Sequence, residues 1–167
     1  SVGLGFTEIG HPVCGDLVQM PHLLIAGATG TGKSVYLNSI ICSLLCRYSS
    51  DDLRMILIDP KMLELTMYNK ISHLLAPVVV DPDQANRSLK WVVNEMERRY
   101  KLMQSLGVRS IESYNDLVKS KDSKVSSEEL SYDNLPYIVV VIDELADLML
   151  TSAKEVEKLI QRIAQKA

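Results

Sequence analysis

The 167-residue chain is 47% hydrophobic and 23% charged, with a formal net charge of -3, the ordinary balance of one globular domain with its own core. That composition excludes extended disorder, and no apolar run approaches the roughly 18–20 residues that cross a bilayer. A domain that grips nucleic acid on a broad face is usually basic, so charge alone gives no support for such a partner.

The opening stretch, SVGLGFTEIG, lacks the basic start and apolar middle of a signal peptide and has no initiator methionine. The expectation is a piece of a longer protein. Three cysteines, Cys14, Cys42 and Cys46, show no zinc-ligand spacing, which points to a reducing compartment without a disulfide framework. Cys42 and Cys46 are expected as small buried hydrophobes on one helix.

Phe6–Ile9 and Pro12–Val18 read as two short strands joined at Gly10-His11. His22–Ala26, an apolar run between Pro21 and Gly27, predicts a buried strand. From Lys33 to Arg47, Val35, Leu37, Ile40, Ile41, Leu44 and Leu45 recur at helical spacing. Arg54–Asp59 predicts a second buried strand, stopped by Pro60, and Ala76–Val80 a third.

Asp81 and Pro82 are an N-cap and a first helical position. They open a long helix whose apolar stripe is Leu89, Val93, Met96, Tyr100 and Met103, ended by Gly107. A shorter helix is expected over Ser110–Lys119, then a polar insertion over about 119–134. Tyr137–Asp143 is the most apolar predicted strand, and a helical segment follows from about Glu144. Strands alternate with helices, and their Val/Ile runs lack polar alternation. This predicts an α/β fold with a mainly parallel sheet covered on both faces.

The segment GATGTGKS, Gly27–Ser34, matches the pattern G-x-x-x-x-G-K-S. A triphosphate needs many donors converging from one side. Glycines let the backbone amides of Gly27, Ala28, Thr29, Gly30, Thr31 and Gly32 curl around it, and a helix starting at once adds its positive end. Lys33 then reaches the terminal phosphates and the Ser34 hydroxyl meets Mg²⁺, so ATP and Mg²⁺ are the expected ligands.

A second carboxylate for the metal is expected where a neighbouring buried strand reaches the carboxyl edge of the sheet. Asp143 ends YIVVVID there. Glu144 follows directly, and successive residues point in different directions. Asp143 can therefore face Mg²⁺ while Glu144 orients and deprotonates the attacking water. A helix N-cap for Asp143 and a dipole-favoured first-turn acid for Glu144 are the plainer alternatives.

The stretches MPHLLIAGATGTGKS (20–34), LIDPKMLEL (57–65), VVNEMERRYKLM (92–103) and LPYIVVVIDELADLM (135–149) together resemble the motor domain of the FtsK/SpoIIIE DNA translocases. The resemblance runs from about Leu4 to Ala167. It implies a RecA-like P-loop core, with N-terminal strands over 1–20 and the core over 21–167. It further implies ATP hydrolysis in a homo-hexameric ring that pumps double-stranded DNA during cell division or sporulation. By the same resemblance Gly27–Ser34 hold the nucleotide, Asp143 the Mg²⁺ and Glu144 the water. The family's motor continues past the equivalent of Ala167, so the expectation is the amino-terminal two-thirds or so of a core. Such a piece is compatible with binding nucleotide without turning it over. The motor would lie in the cytoplasm, with its parent anchored at the inner membrane or division septum through a segment absent here.

Asp59 and Lys61 (IDPK) are expected near the active edge, either beside the nucleotide, at a subunit interface, or as turn chemistry set by Pro60. Arg98 and Arg99 read as a solvated helix face with Glu95–Arg99 and Glu97–Lys101 pairs, or as a subunit contact. Three other functions compete with the DNA pump: a ring ATPase moving conjugative DNA or a secreted polypeptide, a small-metabolite kinase, and a silent nucleotide-binding scaffold.

Overall fold

The computed structural model describes residues 1–28, 30–122 and 133–166. Most of the expected polar insertion lies outside the described residues. The chain divides into two compact units, Ser1–Ser49 and Ser50–Lys166.

In the first unit, Val2–Phe6 (β1) and Pro12–Gly15 (β2) form an antiparallel hairpin. β1 lies earlier than the expected Phe6–Ile9, whereas β2 begins at Pro12 as expected and ends at Gly15, short of Val18. The turn is fixed at Thr7–His11, where Thr7 N donates to His11 O (2.8 Å) and Gly10 N to Thr7 O (2.9 Å). Lys33–Leu45 forms α1, which buries Ile40, Ile41 and Leu44. The Tyr36 hydroxyl donates to the Gly3 carbonyl (2.9 Å), tying α1 to the hairpin.

Two expectations fail in this unit. His22–Ala26 is irregular and largely exposed rather than a buried strand. A strand exists only through a ladder, and no described backbone pairs with these residues; apolar character alone cannot supply one. Cys42 and Cys46 are exposed, because α1 turns its Ile40–Ile41–Leu44 face inward and these two cysteines lie off it.

The second unit is built on Leu53–Ile58 (β3) and Tyr137–Ile142 (β4), parallel and in register from Leu53↔Tyr137 to Ile58↔Ile142. The other edge of β3 is taken by the 73–79 segment. Met55 N donates to His73 O (2.8 Å), Leu75 N to Met55 O (3.0 Å) and Val79 N to Leu57 O (2.9 Å). The expected strand Ala76–Val80 thus contributes one parallel bridge, Ile58↔Val79, instead of a ladder. Pro77 has no N–H to donate, which interrupts pairing between the bridges at Leu74 and Val79.

Pro82–Ser105 (α2), Ile111–Asp122 (α3) and Leu145–Lys166 (α4) complete the unit. Asp81 caps α2 through its side chain, which accepts from Gln84 N (2.9 Å), and Pro82 is the first helical residue, as read from sequence. Ala85 and Leu89 of α2 and Leu148 and Val156 of α4 bury against Ile56, Ile58 and Val79. A second cluster joins Tyr114 and Val118 of α3 to Leu135, with Leu102 and Met103 of α2 packed on it.

The stripe on α2 departs from expectation at its C-terminal half. Tyr100 is exposed, and Arg99, 9% exposed, takes an inward position. Arg99 donates from Nε to Glu95 Oε1 (2.7 Å) and from Nη1 to the Pro136 carbonyl (2.6 Å). It is a buried tie between α2 and the start of β4, not part of a solvated face. Glu97 pairs with Arg162 of α4 rather than with Lys101. Arg98 does remain on the surface, forking both oxygens of Glu95 (2.7 and 2.8 Å).

Candidate functional site

The P-loop residues belong to the first unit. Gly30 and Gly32 adopt φ of 81° and 92°, a left-handed conformation that side-chain-bearing residues rarely reach. Thr31 folds back on the loop, its amide (3.2 Å) and hydroxyl (2.7 Å) both directed at the Ala28 carbonyl. A Cβ on Gly27 would lie 2.5 Å from the Thr31 hydroxyl, so a larger residue fits only if Thr31 gives up its place in the curl. Thr29 lies outside the described residues.

α1 begins directly after Gly32, which has no side chain to cap it, and its first turn holds no acid. A helix start with neither a side-chain cap nor an acid is electrostatically suited to an anion. α2 is the contrast: Asp81 caps it and Asp83 occupies its first turn. Lys33 and Ser34 open α1 half-buried, and Asn38 steadies that turn by donating to Ser34 O (3.0 Å). An open cleft of about 360 Å³ is lined by Leu23–Ala26, Thr31–Lys33 and Tyr36. This glycine cradle, uncapped helix start and lysine fit a nucleotide's phosphates.

The carboxylates belong to the second unit. Asp143 follows the last residue of β4 and donates its amide to Ile58 O (3.0 Å). Glu144 comes next, directly before α4, and both are half-buried. A parallel strand therefore delivers two successive acids to the carboxyl edge of this sheet, as the sequence suggests.

Asp59 leaves β3 at the same edge and is completely buried. Its Oδ2 accepts from Glu64 N (3.0 Å) and Leu65 N (2.9 Å), drawing the following loop into a closed turn. Its Oδ1 has no hydrogen-bond partner among the described residues. Lys61, on that loop, pairs with Asp147 in the first turn of α4 (Nζ–Oδ2, 3.2 Å). Sequence reasoning placed Asp59 and Lys61 at this edge but missed Asp147, whose only signal was its place one turn beyond Glu144.

Among the described residues no group of three or more metal-ligating side chains gathers, and no helix is long and apolar enough to cross a membrane.

The FtsK/SpoIIIE family profile matches residues 1–167. The chain is 52% identical over 166 residues to the DNA translocase SpoIIIE of Bacillus subtilis, covering 99% of this chain and 21% of that protein. It is 46% identical over 187 aligned positions to the DNA translocase FtsK of Agrobacterium fabrum, again 21% of that protein. The chain thus spans about a fifth of the length of these relatives. Among solved structures it resembles the pCW3 conjugation coupling protein TcpA with ATPγS, at 30% identity and TM-score 0.65 over 98% of this chain and 42% of that one. It also shares its fold with the cytoplasmic domain of the type VII secretion ATPase EccC of Thermomonospora curvata, at 23% identity and TM-score 0.73 over 99% of this chain and 19% of that one. The parallel β3–β4 pair with its covering helices is the α/β, P-loop ATPase fold expected from the sequence. With the family profile matched from the first residue to the last and half of the aligned positions identical to a DNA translocase, the chain belongs to the FtsK/SpoIIIE family.

Proposed function

We propose that this chain is part of an ATP-hydrolysing ring motor that translocates double-stranded DNA in chromosome segregation. Residues 1–20 form its N-terminal strands and 21–167 the core of one motor domain. The observation that carries this reading is 52% identity with a DNA translocase along 99% of the chain, through both the P-loop and the Asp143–Glu144 pair.

Gly27–Ser34 hold the phosphates of ATP: the backbone curl donates amides, and Lys33 supplies the charge that a triphosphate requires. The Ser34 hydroxyl and the Asp143 carboxylate are the residues that would hold Mg²⁺. Bound there, the metal neutralises charge developing on the phosphates. Glu144 orients and deprotonates water for attack on the γ-phosphate. A homo-hexameric assembly and a membrane-anchored parent are the partners this reading carries with it.

The test is ATP turnover by the natural full-length protein with and without duplex DNA. Stimulation by DNA and its loss in Lys33→Ala and Glu144→Gln are expected. Turnover indifferent to duplex DNA would overturn the DNA-motor reading and favour a polypeptide motor. The likeness to TcpA favours one second reading, transport of conjugative DNA. The two readings part on whether loss of the protein impairs chromosome partition or conjugation.

A further inference from the structure

The loop Pro60–Leu65 is more tightly determined than a connection after a strand needs to be. Asp59 spends one fully buried oxygen on the amides of Glu64 and Leu65. Met62 is held at φ 59°, with its amide on Asp59 O (3.1 Å). It is the only described residue other than glycine with positive φ. Such a conformation persists only where the surroundings over-determine it, and such sites cluster at functional positions. The Asp59 carboxylate also keeps one buried oxygen without a hydrogen-bond partner among the described residues, which asks for an explanation of its own.

This rigid loop has one polar arm reaching outward. Lys61 Nζ stands 3.2 Å from Asp147 Oδ2, an ion-pair contact without hydrogen-bond geometry to that buried oxygen, and Asp147 sits three residues after Glu144 in the opening turn of α4. The loop is anchored at the end of β3 through Asp59, and the turn before α4 is anchored to the same strand through Asp143, whose amide is bonded to Ile58 O. The Lys61–Asp147 pair closes the figure by joining the two anchored pieces across the strand ends.

We infer that Lys61 is a positioning residue for hydrolysis: braced by the Asp59-locked loop, it holds Asp147 and thereby fixes the turn from which Glu144 addresses water. This rests on the reading of Glu144 given above. The Lys61 side chain is half-exposed, and such a solvated ion pair contributes little to global stability. A displacement of about 1 Å at a reacting group, by contrast, costs on the order of 100-fold in rate. The pair should therefore show in turnover and leave folding untouched.

The experiment uses the natural full-length protein and compares Lys61→Met, Lys61→Arg, Asp147→Asn, the Lys61→Met/Asp147→Asn double variant and the charge swap Lys61→Asp/Asp147→Lys, with Glu144→Gln prepared alongside. Turnover, KM, affinity for a fluorescent ATP analogue and the unfolding midpoint are measured. Lys61→Met and Asp147→Asn are each expected to lower kcat about tenfold, with KM, affinity and midpoint unchanged. The double variant is no worse than either single one, Lys61→Arg keeps most activity, and the swap recovers part of it. Wild-type kcat in Lys61→Met overturns the brace. So do losses that multiply in the double variant, or a fall in midpoint that tracks the fall in rate. If Glu144→Gln turns over normally, the reading of Glu144 fails. If it is inert while Lys61→Met is unaffected, the brace alone fails.

Discussion

Asp59 and Asp143 leave their strands at the same level. β3 and β4 pair residue for residue up to Ile58↔Ile142, and the Asp143 amide closes on the Ile58 carbonyl at 3.0 Å. Two acids thus follow two parallel apolar strands at one edge, and their surroundings separate their tasks. Asp59 is fully buried and bound to backbone amides, whereas Asp143 is half-buried at the start of the turn that carries Glu144.

Replacing Glu144 by Gln removes the basic oxygen and keeps the shape. The full-length variant is expected to bind ATP with near wild-type affinity and lose about 100- to 10,000-fold in hydrolysis. Phosphate release and nucleotide binding measured on the same sample decide it. Turnover close to wild type removes Glu144 from the chemistry.

A methyl group at Gly27 has no room, because it would stand 2.5 Å from the Thr31 hydroxyl. Gly27→Ala must break the Thr31–Ala28 hydrogen bond, a loss of about 1 kcal/mol, or roughly fivefold in affinity if the curl is what binds phosphate. Titration with a fluorescent ATP analogue reads it. Unchanged affinity would show that the phosphates bind elsewhere.

Asp59→Ala strips the Glu64 and Leu65 amides of their acceptor in a fully buried setting. A loss of about 1–3 kcal/mol in unfolding free energy is expected, and a smaller one for Asp59→Asn, which keeps an acceptor oxygen. Urea denaturation measures both. Equal stability of Asp59→Ala and wild type would mean that the loop does not depend on this carboxylate.

Arg99→Ala leaves the Pro136 carbonyl without its donor and Glu95 without its buried partner. Arg98 still neutralises Glu95, so the expected cost is that of the lost hydrogen bonds of a charged donor, about 1–3 kcal/mol. Arg98→Ala, at a surface pair, should cost under about 1 kcal/mol. Thermal unfolding of the two variants tests this order. If Arg98 proves the more important, the buried tie is misassigned.

Glu95 is held below the usual carboxylate range, first by the hydrogen bond from Arg98 and then by Arg99, against a burial effect in the opposite direction. A carboxyl with a lowered folded pKa contributes stability that is present above its unfolded pKa. That stability is lost as pH falls through the folded value. Unfolding free energy should therefore decline as pH drops below the ordinary glutamate range, and less steeply in Arg98→Ala. Identical slopes in the two proteins would show that Arg98 does not set this titration.

The sequence determined what local chemistry can determine. The Asp81–Pro82 start of α2 was legible because a cap and a missing N–H act within one turn. The glycine curl was legible because its spacing is a backbone requirement, and the Asp143–Glu144 pair because an apolar strand must end at an edge. Tertiary structure decided the rest. His22–Ala26 lacks a partner ladder, which apolar content cannot provide, and Ala76–Val80, with Pro77 unable to donate, pairs at Val79 alone. Arg99 turns inward because a carbonyl 37 residues away accepts from it. Lys61 meets Asp147 only because β3 and β4 pair in register. Contacts distant along the chain depend on which surfaces the fold brings together, and no local spacing encodes them.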